Sequence, residues 1–225
     1  MTLCMSKYPV PHRGTLGISQ PMTRHSVTRE PNKIDGRALR SERSRQLIAD
    51  TLYELIGEGD LEPSAQRVAD RAGIGIRTVF RHFDDMDALY ATVNRRLEAE
   101  SAPLLGELPD PDADQETRAR NLVAKRAVLF ERFGPYMRAT NRHRSRSKFL
   151  SDRYRKMALT VRQRLLLWLP ELKEARPELL EAMDLVTSFD AWDRLRIDQR
   201  LPRRRAEGAM LAATLALLAQ ARGPA

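Results

Sequence analysis

The stretch from Ser64 to Phe83 constrains the fold of this chain more than any other. Ala65, Val68, Ala69 and Ala72 recur at offsets of 0, 3, 4 and 7, which places them on one face of an α-helix. Ser64 stands before them as an N-cap, because its hydroxyl can accept from a free N–H of the first turn. Gly73 follows where a helix ends on a left-handed residue. Ile74 is the one large apolar group of the turn, and Gly75 opens a second short helix. That helix is expected to turn Ile76, Val79, Phe80 and Phe83 inward and to leave Arg77, Thr78, Arg81 and His82 on the opposite face. The small residues of the first helix let the second approach closely.

A short helix whose outer face carries hydrogen-bond donors, two of them permanently charged, suits insertion into the major groove of DNA. The same spacing also builds plain helical corners that touch no nucleic acid. The flanks supply the missing context. Residues 41–58 are expected to form a preceding helix, capped by Ser41, with Ile48, Leu52, Leu55 and Ile56 on one side and Gly57 and Gly59 at its end. Asp85 is placed to cap a following helix that carries Met86, Leu89, Tyr90, Val93 and Leu97. These helices would close a small core around the turn.

On these residues, the segment from Ser41 to Ser101 resembles the N-terminal domain of the TetR family of bacterial transcriptional regulators. The matching positions are Val68-Ala69, Ala72-Gly73-Ile74, Thr78-Val79-Phe80, His82-Phe83 and Asp87-Ala88-Leu89. The resemblance implies an all-helical homodimer, two recognition helices in successive major grooves of an operator, and a C-terminal domain in which a small-molecule effector controls them. The DNA-contacting positions would then be Ser64, Gln66, Gly75, Ile76, Arg77, Thr78, Arg81 and His82. Three positions depart from the family pattern. Gly75 replaces a hydroxyl residue, Phe80 replaces a phosphate-bonding Tyr, and Met86 replaces a Lys among Asp84, Asp85 and Asp87. These changes remove backbone contacts and add negative charge, although aspartates also suit a helix N-terminus.

The remaining composition narrows the classes. A chain of 225 residues can bury a substantial core, and no stretch alternates as a strand would. The single Cys4 excludes a disulfide within one chain, and His12, His25, His82 and His143 have no metal-ligand spacing. No metal or other cofactor is expected. No segment has the length and apolarity of a membrane span or a signal peptide, so a cytoplasmic chain is expected. No catalytic triad, phosphate loop or nucleophilic Cys is in register, which argues against an enzyme.

Residues 1–36 contain Pro9, Pro11, Pro21 and Pro31 without apolar periodicity and are expected to form a disordered basic extension. Residues 37–101 would form the helix-turn-helix domain, and residues 102–225 a helical effector-binding and dimerisation domain. A Pro- and Asp-rich connector runs from Pro103 to Asp114. Helices are then expected over 115–133, broken by Gly134-Pro135, over 148–169, over Pro177 to Arg196, and over Arg203 to Ala221. The best periodic run is Leu150, Tyr154, Met157, Val161, Leu165 and Trp168.

Phe130, Phe133, Met137, Tyr154, Met157, Trp168, Met183, Phe189 and Trp192 are candidate lining for a ligand pocket. Such side chains serve a plain core more often than a pocket. From Ala209 to Ala219 only Thr214 is not apolar. A helix apolar on nearly every side needs two burying partners, so a second copy of the chain is expected against Met210, Ala213 and Leu217.

The net charge of +9 is unevenly spread. Residues 1–102 carry 15 basic and 14 acidic groups, whereas residues 103–225 carry 24 and 16. The excess concentrates between Arg138 and Arg164, where ten cations meet only Asp152. A solvated face is the plain reading. A rival function is a helical, nucleoid-type protein that coats nucleic acid through this cluster without sequence preference.

Overall fold

The computed structural model describes residues 36–221, and every regular element among them is helical. The basic N-terminal extension lies outside the described residues, apart from Gly36. Four helices surround the Gly73 turn: α1 (Gly36–Gly57), α2 (Ala65–Ala72), α3 (Ile76–His82) and α4 (Met86–Gly106). Behind them come α5 (Gln115–His143), α6 (Lys148–Trp168), a 3-10 turn (Pro170–Lys173), α7 (Pro177–Val186), α8 (Phe189–Asp193), a π-type turn (Arg194–Asp198) and α9 (Arg203–Ala221).

Local chemistry sets many of these boundaries. Ser64 Oγ accepts from the Arg67 N–H at 3.1 Å and starts α2. Gly73 ends it at φ 67°, in the left-handed region where a Cβ is disfavoured. Carboxylates of Asp85 and Asp114 accept from Ala88 and Thr117 N–H groups at 2.8 and 2.7 Å, opening α4 and α5. Ser147 does the same for α6, through the Leu150 N–H at 3.1 Å. Ile48, Leu52, Leu55 and Ile56 of α1 are buried with Val68, Ala69, Val79, Phe83, Leu89 and Val93, which fixes α3 against the bundle.

Four expectations are corrected. The described part of α1 begins at Gly36, so Ser41 lies inside the helix. Arg37, Ala38, Leu39 and Arg40 are good helix formers and nothing stops the helix there. Pro135 does not break α5, and Pro103 does not end α4. An internal proline forfeits a backbone hydrogen bond and costs about 3 kcal/mol. Burial of Phe130, Phe133, Tyr136 and Ala139 around Pro135, at about 1.5–3 kcal/mol for each large side chain, outweighs that cost. The helix expected over Pro177 to Arg196 is instead interrupted at Thr187 and Ser188. Ser188 Oγ accepts from the Ala191 N–H at 3.1 Å and caps α8, while Arg126 of α5 donates to the freed Thr187 carbonyl. Tertiary packing decides the cases at Pro135 and at Thr187.

Helix α9 packs on α5 and α7. Ala206, Met210, Thr214 and Leu218 face inward, while Ala209, Ala212, Ala216 and Ala219 form an exposed small-residue face. Met210 is only 1% exposed within one chain, so it cannot meet a second copy as expected. Ala213 and Leu217 are half-buried.

Candidate functional site

Helix α3 has seven residues, and two neighbours hold it. Val79 and Phe83 are buried against α1 and α2. The Arg45 guanidinium lies 4.3 Å from the centre of the Phe83 ring and donates to the His82 carbonyl at 2.6 Å, which ties the C-terminal end of α3 to α1. What remains outward is Arg77, Phe80 and Arg81, related by i, i+3 and i+4 spacing. Arg77 and Arg81 are exposed and, among the described residues, hydrogen-bond to no side chain.

The other residues expected on this surface divide. Gly75 is exposed as the N-cap of α3, and an added Cβ there would meet nothing within 4 Å. Thr78 is half-buried beside the outward face. Ser64 is occupied as the α2 cap, and Gln66 Nε2 donates to Asp70 Oδ1 at 2.7 Å on an exposed surface. Ile76 packs partly against the core rather than outward. His82 Nε2 is buried without a partner, and burial, then Arg81 and Arg45, hold the imidazole below its ordinary pKa. A neutral His82 with that nitrogen turned inward offers no cation to a phosphate. Phe80 is the reverse correction: expected inside, it is 48% exposed. Val79 and Phe83 already fill the inner side of so short a helix, and the next position rotates outward.

Two of the three aspartates beside α3 serve the fold. Asp85 caps α4, and Asp87 accepts from Ser147 Oγ at 2.8 Å, joining α4 to the start of α6. Nearby, Tyr90 and His143 Nε2 share a hydrogen bond at 2.8 Å between α4 and α5.

A second feature lies deeper. A cavity of about 410 Å³ opens between α4, α5, α6, α7 and α8. Of the expected lining, Phe130, Phe133, Met137 and Tyr154 reach it, as do Met157, Trp168 and Phe189. Met183 and Trp192 do not. Met183 is fully buried with Leu165 and Leu172, and Trp192 is buried with its Nε1 donating to Glu131 Oε1 at 3.2 Å. On the amphipathic stripe of α6, Leu150, Leu165 and Trp168 are packed, whereas Tyr154, Met157 and Val161 stay partly accessible and wall the cavity. The cavity therefore sits where the best apolar stripe of the chain lacks a packing partner.

Sequence reasoning named Tyr154 but missed Arg126 and Asp184 on this wall. Arg126 of α5 is 7% exposed, and burial pulls its guanidinium down to about 10. Asp184 of α7 is pushed up by burial, against the pull of Arg126 and Arg162. Tyr154 is raised by burial and by its hydrogen bond to Asp190 Oδ2 at 3.0 Å. Its register was the available signal for Arg126, which stands four residues from both Leu122 and Phe130 on the apolar face of α5.

The basic cluster dissolves into pairs. Arg138 meets Asp193 at 2.7 Å, Arg142 meets Glu62 at 3.6 Å, Arg162 meets Glu181 at 2.7 Å, and Arg153 pairs with Glu98. Lys148 and Arg155 share Asp152, Arg164 donates to the Glu107 carbonyl, and Arg144 covers the Tyr154 ring at 3.9 Å. Among the described residues no group of three or more His, Cys, Asp or Glu is arranged to hold a metal. No helix there is long and apolar enough to cross a membrane.

No protein-family model and no curated protein matches the chain. Among solved structures, a transcriptional regulator from Rhodococcus sp. Rha1 is similar, with a TM-score of 0.59 and 23% identity over 79% of this chain and 95% of that one. At that identity the likeness establishes the fold: the chain shares the all-helical architecture of that regulator.

Proposed function

We propose that this chain is a sequence-specific, DNA-binding transcriptional regulator of the TetR type. It works in the cytoplasm as a homodimer on a palindromic operator, and a small-molecule effector acts on it as on a repressor. One observation carries the reading: a short helix pinned by α1 and α2 presents Arg77 and Arg81 outward, exposed and, among the described residues, hydrogen-bonded to no side chain. Guanidinium groups in that position suit guanine edges and phosphates, and Thr78 and Phe80 beside them suit a phosphate and a thymine methyl. Residues 37–101 form the DNA-reading half in this proposal, and residues 102–225 the effector-binding and dimerising half.

Dimerisation uses the exposed face of α9, where Ala209, Ala212, Ala216 and Ala219 allow close approach of a symmetric copy. Ala216→Glu would place two carboxylates in that interface and weaken association by at least about 3 kcal/mol. Sedimentation at micromolar concentration should show dimers for the parent chain and monomers for the variant. A monomeric parent chain rejects this part of the reading.

Helix α4 supplies the link between the halves. Its first turn follows α3 directly, and Asn94, Leu97, Leu104 and Leu105 farther along wall the cavity. A rod of 21 residues is about 30 Å long, so a shift at the cavity moves the base of α3. The effector controls binding only by the difference in its affinity for the two arrangements.

The rival reading, a nucleoid-type coat protein acting through residues 138–164, loses support because the structure engages eight of those ten cations internally. Selection from a random duplex library, followed by binding at two salt concentrations, separates the two. Enrichment of a palindrome bound at least about 10³-fold tighter than shuffled DNA supports the regulator. Equal, steeply salt-dependent affinity for all duplexes supports the coat protein.

A further inference from the structure

Arg126 is a cation whose burial the fold does not balance. It stands in the middle of α5, is 7% exposed, and forms part of the cavity wall. Its hydrogen bonds all end on neutral oxygens. Nη1 donates to the Thr187 carbonyl and to Thr187 Oγ1 at 2.6 Å, and Nη2 reaches the Val161 carbonyl at 3.5 Å. The Thr187 oxygens lie in the gap between α7 and α8 and the Val161 carbonyl belongs to α6, which explains the donors but not the charge. A neutral amide would cap the same carbonyls without carrying a cation out of water, where desolvation costs several kcal/mol per ion.

The other cavity cations are differently placed. Lys125 pairs with Glu107 and Arg153 with Glu98. Arg164 donates to the Glu107 carbonyl near the surface. Among the described residues no carboxylate lies within ion-pairing distance of Arg126. Asp184, on the same wall, acts on it only through its field. The rest of the wall is largely apolar, with Leu97, Leu104, Phe133 and Met157 among its members. A volume of about 410 Å³ is in the range that encloses a whole small ligand.

We propose that this cavity binds an amphipathic acid, a molecule with one carboxylate head held by Arg126 and an apolar body along Leu97, Leu104, Phe133 and Met157. The proposal rests on the reading of the cavity as the effector site and names the effector's chemical class. Arginine suits the head, because its planar fork matches a carboxylate in two parallel hydrogen bonds. Asp184 repels the head, so its charge limits the affinity.

The test uses the full chain and three probes of one chain length, dodecanoate, dodecanol and dodecylamine, below their micellar concentrations. Binding is followed by calorimetry, and by tryptophan fluorescence through Trp168 in the wall. Dodecanoate is expected to bind at least tenfold tighter than either other probe. Decanoate is expected to bind weaker than dodecanoate by about fourfold for each methylene removed. Asp184→Asn should tighten dodecanoate severalfold and leave dodecanol unchanged. Arg126→Gln, if it folds, should abolish the preference for the acid. The parent chain and D184N keep the test decisive should R126Q not fold. Equal binding of all three probes overturns the carboxylate head and leaves the cavity standing as a ligand site. Binding of none overturns the cavity as an effector site, and the head-group assignment with it.

Discussion

Two sets of arginines in this molecule look alike in sequence and differ in what surrounds them. Arg77 and Arg81 are exposed on α3 and, among the described residues, hydrogen-bond to no side chain, in a half of the chain whose charges nearly cancel. The cations between Arg138 and Arg164 form the densest basic run of the chain, yet four of the ten meet carboxylates contributed by other segments. Asp193, Glu62, Glu98 and Glu181 lie far from the run in sequence, so a count along the chain cannot see them. A count of charges along the chain is therefore a poor guide to how many of them stand without a partner.

The sharpest way to break this contrast is to remove each set in turn. Arg77→Ala with Arg81→Ala should lower affinity for a selected operator by about 1–3 kcal/mol per guanidinium and reduce the salt dependence, with little change in melting temperature. Anisotropy titrations at several salt concentrations read both effects. Phe80→Ala comes next. With its ring 48% exposed, the loss should be about 1 kcal/mol in DNA affinity and near zero in stability, and preference for thymine in the half-site should weaken. If F80A instead lowers the melting temperature and spares DNA binding, the ring belongs to the core after all.

Smaller effects are expected from the paired set. Arg138→Gln and Arg162→Gln should each cost up to about 1 kcal/mol of stability, because these are partly exposed pairs, and should change operator affinity less than threefold, that is, by less than about 0.65 kcal/mol. A tenfold loss of DNA binding without unfolding would put the cluster on the DNA. The smallest effect follows pH. Hydrogen bonding from Arg196 holds the Glu131 carboxyl below its ordinary range, against desolvation. A lowered carboxylate stabilises the fold above its unfolded value, about pH 4.3, and that contribution is lost as pH falls through the folded value. Glu131→Gln should flatten the acid limb of the stability curve by about 1 kcal/mol or less and leave the limb above pH 7 parallel to the parent. Denaturant melts across the acid range measure this.

Much of the N-terminal helical half was legible because its signals are local. The offsets of Ala65 and Val68, the Ser64 cap and the Gly73 turn need only neighbours in sequence, and all appear where the spacing puts them. Local rules fail where distant packing outweighs them. Pro135 passes through α5 because the residues around it are buried, and α7 stops at Val186 because Arg126 and Ser188 supply what a broken helix lacks. Phe80 misled for a geometric reason: periodicity assigns a face, and a seven-residue helix has room for few inward residues. Met183 and Trp192 show the limit for pockets. A large apolar residue on an inner face reads the same whether it fills a core or walls a cavity, and the difference lies in which helices stand opposite.

Methylation interference at guanine N7 on a selected duplex tests the central claim most directly, because that atom is reached only from the major groove. The expected result is two symmetric tracts of interference centred about one helical turn apart, 10–10.5 base pairs, or a multiple of it. Both should vanish when Arg77 and Arg81 are replaced. Interference that is absent, confined to one tract, or indifferent to those two arginines would contradict it.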